Sequence, residues 1–248
     1  MVRFILLALI LFGQLAMVPP LAARDALAAV ASNFLTPAER LAAAYRKASG
    51  HVVRLSAGST GKLYAQIRHG GPFDMFLAAD QERPRLLEEQ GLAVAGSRFT
   101  FAIGRLALIR ADGGEAGPEY LKALTFRRFA IANPKLAPYG LAAEQALSAL
   151  GVIGEVRGRL VYGENISQTL AMVATGNAEA GLVALSMARG PHWEIPAALH
   201  EPMRQDAVLL VRAAENEAAR GFLTFLRSPE GQAAIRAFGY DTDGGARD

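Results

Sequence analysis

The stretch His51-Val-Val-Arg-Leu-Ser-Ala-Gly-Ser-Thr-Gly-Lys-Leu-Tyr-Ala-Gln-Ile67 runs from an apolar segment through small and hydroxyl residues, Ser56 to Gly61, into a helix-patterned segment. A strand that ends in such residues just before a helix presents free backbone N–H groups and Ser/Thr hydroxyls to an anion. Gly61-Lys62 resembles the end of a nucleotide P-loop, but that pattern needs glycine where Ser56 stands and Ser or Thr where Leu63 stands. Lys62 reads more simply as a solvated first-turn residue. Taken alone, the loop is better read as an ordinary N-capped turn, so the rest of the chain has to decide.

Outward from this loop, strand-length apolar runs alternate with helix-length amphipathic segments. Asp25 to Val30 reads as a strand, and Thr36-Pro-Ala-Glu39 as a capping box with Pro37 at the first helical position. The helix continues through Leu41, Ala44 and Tyr45, and Gly50 ends it. Phe73 to Leu77 reads as a buried strand, and Arg83 to Gln90 as a short helix stopped by Gly91. The strand pattern returns at Arg105 to Arg110, Phe129 to Ala132, Arg159 to Tyr162 and Ala180 to Ala184, with helices from about Gly140 and Ser167. Asp206 to Val211 gives a late strand before two C-terminal helices. The pattern predicts an α/β fold with mainly parallel sheets flanked by helices.

Residues 1–23 have a basic start at Arg3, an apolar core from Phe4 to Phe12 and a small-residue end at Ala23, the order of a cleavable secretory signal peptide. Its removal takes away one base and leaves 25 Lys and Arg against 23 Asp and Glu, a net +2 with no basic block. Nucleic acid is therefore not an expected partner. The chain has no cysteine, so disulfides and thiol chemistry are excluded, and a soluble periplasmic protein is expected. His51, His69, His192 and His200 lack metal-ligand spacing, so no cation-binding metal site is expected. Gly58-Ser-Thr-Gly61 lacks the spacing of a nucleophile elbow, and Asp74 and Asp80 flank a strand where carboxylates bond backbone. No enzyme activity is expected.

The small-residue junction recurs. Ser32-Asn33 follows the first strand, Thr60-Gly61 the second, Pro138-Tyr139-Gly140 the Phe129 strand, and Ile166-Ser167 the Leu160 strand. Each could bring a helix N-terminus to the carboxyl end of a sheet, where open α/β folds bind ligands. Each also has a plain structural explanation: Asn33 satisfying a turn, Tyr139 a buried ring, Ser167 a cap.

Together with their neighbours these junctions carry a resemblance. Ala31-Ser-Asn-Phe34, Ala57-Gly-Ser-Thr-Gly61 with Tyr64-Ala-Gln-Ile67, Phe73-Asp-Met-Phe-Leu-Ala-Ala-Asp80, Asn133-Pro-Lys-Leu-Ala-Pro-Tyr-Gly140 and Gly181-Leu-Val-Ala184 resemble, in order, the periplasmic molybdate-binding proteins of bacterial ABC importers. The resemblance implies a two-lobed, type II-like binding-protein fold with the oxyanion in the interlobe cleft. It places residues 25–104 with 206–248 in lobe I and 105–205 in lobe II, with hinge crossings near Gly104 and Gln205. It implies ligand contacts at Ser32, Asn33 and Thr60 from the first lobe, and at Tyr139 and Ile166, mainly through backbone N–H, from the second. It also implies high-affinity binding of molybdate or tungstate, no cofactor, a monomer, and a membrane permease with its ATPase as partners. Many family members place a tyrosine hydroxyl at the oxyanion where this chain has Ala184; Asn33, with Tyr139, would then supply the missing donor.

A pocket of N–H and O–H donors favours a fully deprotonated oxyanion, and no matched position offers an acceptor for the proton that phosphate keeps at neutral pH. Sulfate, molybdate and tungstate share one charge, so size must separate them. Each buried donor left unmet by a smaller ion costs about 1–3 kcal/mol, and two or three such losses amount to several decades of affinity. The readings left beside it are another small oxyanion, such as sulfate, and a hydrolytic enzyme.

Overall fold

The structure, a computed structural model, describes residues 25–243. The signal-peptide reading of residues 1–23 lies outside the described residues. The first strand, β1 (Asp25–Ala31), has the alternation of a sheet covered on both sides. Ala26, Ala28 and Val30 enter one apolar cluster, and Ala29 enters another with Leu27 packed against it. Then follow α1 (Leu35–Ser49), β2 (Val52–Gly58), α2 (Thr60–Arg68), β3 (Met75–Leu77), α3 (Glu82–Glu89) and β4 (Phe99–Gly104). Arg105 alone separates β4 from β5 (Leu106–Arg110), which opens a second run: α4 (Pro118–Ala123), β6 (Phe129–Ala132), α5 (Pro138–Ala149), α6 (Ile153–Val156), β7 (Leu160–Gly163), α7 (Ile166–Ala174), β8 (Ala180–Ala184) and β9 (Trp193–Glu194). The chain closes with β10 (Met203–Leu209), α8 (Glu217–Arg227) and α9 (Pro229–Ala237).

The strands form two five-stranded sheets, ordered β2-β1-β3-β10-β4 and β7-β6-β8-β5-β9. The two orders are one layout used twice. In each, three strands pair in parallel, and the fourth runs against both its neighbours. That reversed strand is the one on which the chain arrives from the other sheet: β5 in the second, β10 in the first. The two-lobed α/β architecture expected from the sequence is the one observed, each lobe a mixed sheet with flanking helices.

Two local expectations are corrected. No capping box forms at Thr36: a single 3-10 turn over Ser32–Phe34 runs straight into α1 at Leu35, and no side chain caps that helix. Phe34 is fully buried, with its ring 4.7 Å from Phe101 and 5.4 Å from Tyr240, so packing fixes the helix start where a side-chain cap was expected. The late strand begins at Met203, three residues before the expected Asp206, and a bulge at Gln205/Asp206 lets both polar side chains turn inward. Gly50 ends α1 at φ 77°, the left-handed conformation that glycine adopts without a Cβ penalty.

Candidate functional site

The parallel pair in each sheet positions the site. β1 and β2 end level, Ala31 opposite Gly58, and so do β6 and β7, Ala132 opposite Gly163. Immediately after these four ends come the Ser32 turn, α2, α5 and α7. The first N–H groups of a helix have no partner within it, so the arrangement aims unpaired donors past the sheet edges. Pro138 stands in the first turn of α5, where a missing N–H is harmless. The N-cap of α7 is Asn165, whose Oδ1 accepts from the Gln168 N–H at 3.0 Å. Ser167, read from sequence as a possible cap, instead sends its hydroxyl to the Ser32 carbonyl at 3.3 Å.

Ser32, Asn33, Thr60, Tyr139 and Ile166 line one small cavity between the sheets. All five are buried, none more than 7% exposed. The structure brings together every residue the sequence singled out, and adds Ser59 to the lining. A larger groove between α1 and the edge strand β2 has Glu39 and Arg46 as its polar side chains, set among alanines, valines and leucines. Volume alone would point there, but it gathers no set of neutral donors.

Thr60, Asn33 and Tyr139 each take part in the surrounding hydrogen bonds. Thr60 Oγ1 accepts the Ala79 N–H at 3.2 Å, which leaves its own hydroxyl proton free to donate. Asn33 is more committed than the sequence implied. Its Nδ2 donates to Gln205 Oε1 at 2.9 Å and to the Tyr240 hydroxyl at 3.0 Å, so its side-chain N–H groups are engaged inside the protein and its backbone N–H is what it can offer a ligand. The Tyr139 hydroxyl likewise accepts from Gln205 Nε2 at 3.2 Å. A Cβ at Gly104 would overlap that hydroxyl, so glycine is what lets the ring reach the crossing strands.

Tyr240 donates to the Asn33 carbonyl at 2.8 Å and accepts from Ser186 Oγ at 3.0 Å. One buried network thus joins the first turn of lobe I, α5, the segment after β8, the crossing strand β10 and the C-terminal tail. Burial pushes the Tyr139 pKa well above its ordinary value, with the neighbouring Tyr240 adding to the shift, and burial raises Tyr240 to about 12. The cavity lining contains no Asp, Glu, Lys, Arg or His. Among the described residues no group of three or more His, Asp or Glu side chains is placed to hold a metal ion.

Contacts also close across the mouth. The Gly61 N–H donates to the Leu136 carbonyl at 2.9 Å, and Lys62 pairs with Glu164 at 2.6 Å. Lys62 is therefore not merely solvated: it links the two lobes while remaining half exposed. Gln205, Tyr240, Ser186 and Ser59 were not among the residues picked from sequence. Gln205 carried a signal, since Gln-Asp inside the otherwise apolar late strand requires buried partners. Tyr240 carried none, because its partners lie far along the chain.

Comparison with known proteins agrees with this fold. Residues 26–241 match the family model for bacterial extracellular solute-binding proteins. The molybdate-binding protein ModA of Azotobacter vinelandii is 45% identical over 221 residues, covering 86% of this chain and 88% of that protein. Its counterpart in Rhodobacter capsulatus is 43% identical over 229 residues, covering 90% and 91%. The solved Azotobacter vinelandii periplasmic molybdate-binding protein superposes with a TM-score of 0.82 at 38% identity, over 88% of this chain and 99% of that one. A fold of two like sheets, a donor-lined cavity between them and these relatives together mean that the chain belongs to the bacterial extracellular solute-binding protein family.

Proposed function

We propose that this protein binds molybdate or tungstate in the interlobe cavity and delivers it, in the periplasm, to the membrane permease of an ABC importer driven by its ATPase. The observation that carries the reading is the convergence of Ser32, Asn33, Thr60, Tyr139 and Ile166 on one buried cavity without a charged side chain. A dianion there is held by helix N-terminal N–H groups and hydroxyls. Neutral donors cost less to desolvate than buried ammonium groups, and they leave the ion free to depart when the lobes part. The relatives' binding role supports a carrier without catalysis or cofactor. We place residues 25–104 and the C-terminal segment in lobe I and the residues between in lobe II; the membership of the two sheets supports this, with the return to lobe I already at Met203, where β10 begins, three residues before the expected 206. The chain acts as a monomer and is exported by cleavage near Ala23.

Isothermal titration of the purified mature chain tests this. Saturation by micromolar molybdate and tungstate, with no response to millimolar sulfate, is expected. An equal response to sulfate would overturn the selectivity, and no response to any of the three would overturn the oxyanion reading itself.

A further inference from the structure

Four buried side-chain polar atoms have no hydrogen-bond partner among the described residues: Ser59 Oγ, Arg105 Nε, Arg110 Nε and His200 Nε2. Three belong to side chains anchored by their other atoms. Arg105 pairs with Glu194 and Asp241, Arg110 donates to the Glu115 carbonyl, and His200 Nδ1 bonds the Glu201 carbonyl. Ser59 is different, because the unpartnered atom is its only side-chain polar group. The residue is 2% exposed, and it lines the interlobe cavity beside Thr60.

Its position makes the lack of a partner more informative. Ser59 is the N-cap of α2, where serine ordinarily accepts a bond from the N–H two or three residues on. Here it caps nothing, and the Gly61 N–H is instead given to Leu136 of the other lobe. A hydroxyl buried without a bond is costly, and this one stands at a helix N-terminus, next to a hydroxyl whose free proton already faces the same space. Resting on the oxyanion reading above, we infer that Ser59 is a further ligand-binding residue, whose hydroxyl donates to an oxygen of the bound tetrahedral oxyanion. The adjacent Ser59 and Thr60 hydroxyls then form a pair on one wall of the cavity. Each can donate one bond to an oxygen of the anion.

The test compares wild type, Ser59→Ala and Ser59→Gly in the mature chain, with sodium molybdate as probe, by calorimetric affinity and by thermal melting without ligand. Glycine serves as a second hydroxyl-free variant because it is well tolerated at an N-cap. The expected result is a loss of affinity of about tenfold in each variant, from one charge-assisted bond. Melting of the ligand-free protein should stay the same or rise, since the variants remove a buried group that lacked a partner. Wild-type binding with affinity unchanged in both variants overturns the inference while leaving the carrier function intact. So does a parallel fall of affinity and ligand-free melting temperature, which would make the hydroxyl structural. Absence of binding by wild type to molybdate, tungstate and sulfate alike would instead defeat the underlying oxyanion reading.

Discussion

On the proposed reading Thr60 serves fold and ligand at once. Its oxygen accepts the Ala79 N–H and its proton is left to donate. Thr60→Val, nearly the same shape, therefore does two things: it removes a ligand donor and strands a buried N–H. Molybdate affinity should fall about tenfold or more, and urea unfolding should report about 1–3 kcal/mol of lost stability. Thr60→Ser keeps both bonds and should stay within a few-fold of wild type on both measurements. At this scale the sequence was legible wherever function lies in local chain geometry. Ile166, named through the resemblance although apolar, does stand at the start of α7, where its amide would be the group offered to the proposed ligand. Asn33 was found, but the direction of its amide was not, since Gln205 and Tyr240 lie 172 and 207 residues further on.

Among the elements, the four helix starts do most of the positioning, and Gly61 in the first turn of α2 meets Leu136, two residues before α5. A Cβ on Gly61 would stand 3.1 Å from the Leu136 carbonyl oxygen and 3.3 Å from its Cα, tight contacts with backbone of the other lobe. Within α2 itself alanine is the better helix former, by about 1 kcal/mol. With the lobes parting in the ligand-free protein, as the proposed function requires, Gly61→Ala should leave ligand-free melting unchanged or slightly raised while weakening molybdate binding several-fold, because the added methyl crowds the lobes where they meet. Calorimetry paired with melting curves checks the opposite signs. The Lys62–Glu164 pair nearby is about half exposed at both ends, so its share of closure is at most about 1 kcal/mol and fades with salt. Periodicity located most strands and helices, while β4 and the two-residue β9 passed unread. In β4 the half-exposed start, Phe99 and Thr100, blurs the apolar run, and β9 is too short to show a period. The start of α1 was misplaced for a different reason: Phe34 is locked by Phe101 and Tyr240, contacts that local capping rules cannot register.

For the molecule as a whole, the buried network around Gln205 ties both lobes and the C-terminal tail into one unit, and its tyrosines set the response to alkali. Tyr240, raised to about 12, keeps its proton in the fold after an unfolded tyrosine has lost it near pH 10. Its contribution to stability is fully present below about pH 10 and is lost as pH rises through about 12. Urea unfolding measured from about pH 9 to 12 should show stability falling steadily, and Tyr240→Phe should fall less steeply over that range while starting from a lower value at neutral pH. The two-lobed arrangement came through the resemblance and the alternation of strands and helices, but the network could not, because it joins residues from Asn33 to Tyr240.

The strand layout used twice, β2-β1-β3-β10-β4 and β7-β6-β8-β5-β9, has a further meaning for the cargo. Each lobe offers the ends of one adjacent parallel pair, so the two jaws approach the ion as near-equivalents, two and two. A tetrahedron is the anion shape that also divides into two equivalent pairs of oxygens. Such an ion has many indistinguishable ways to land correctly, so its capture demands a shorter rotational search than that of an anion of lower symmetry.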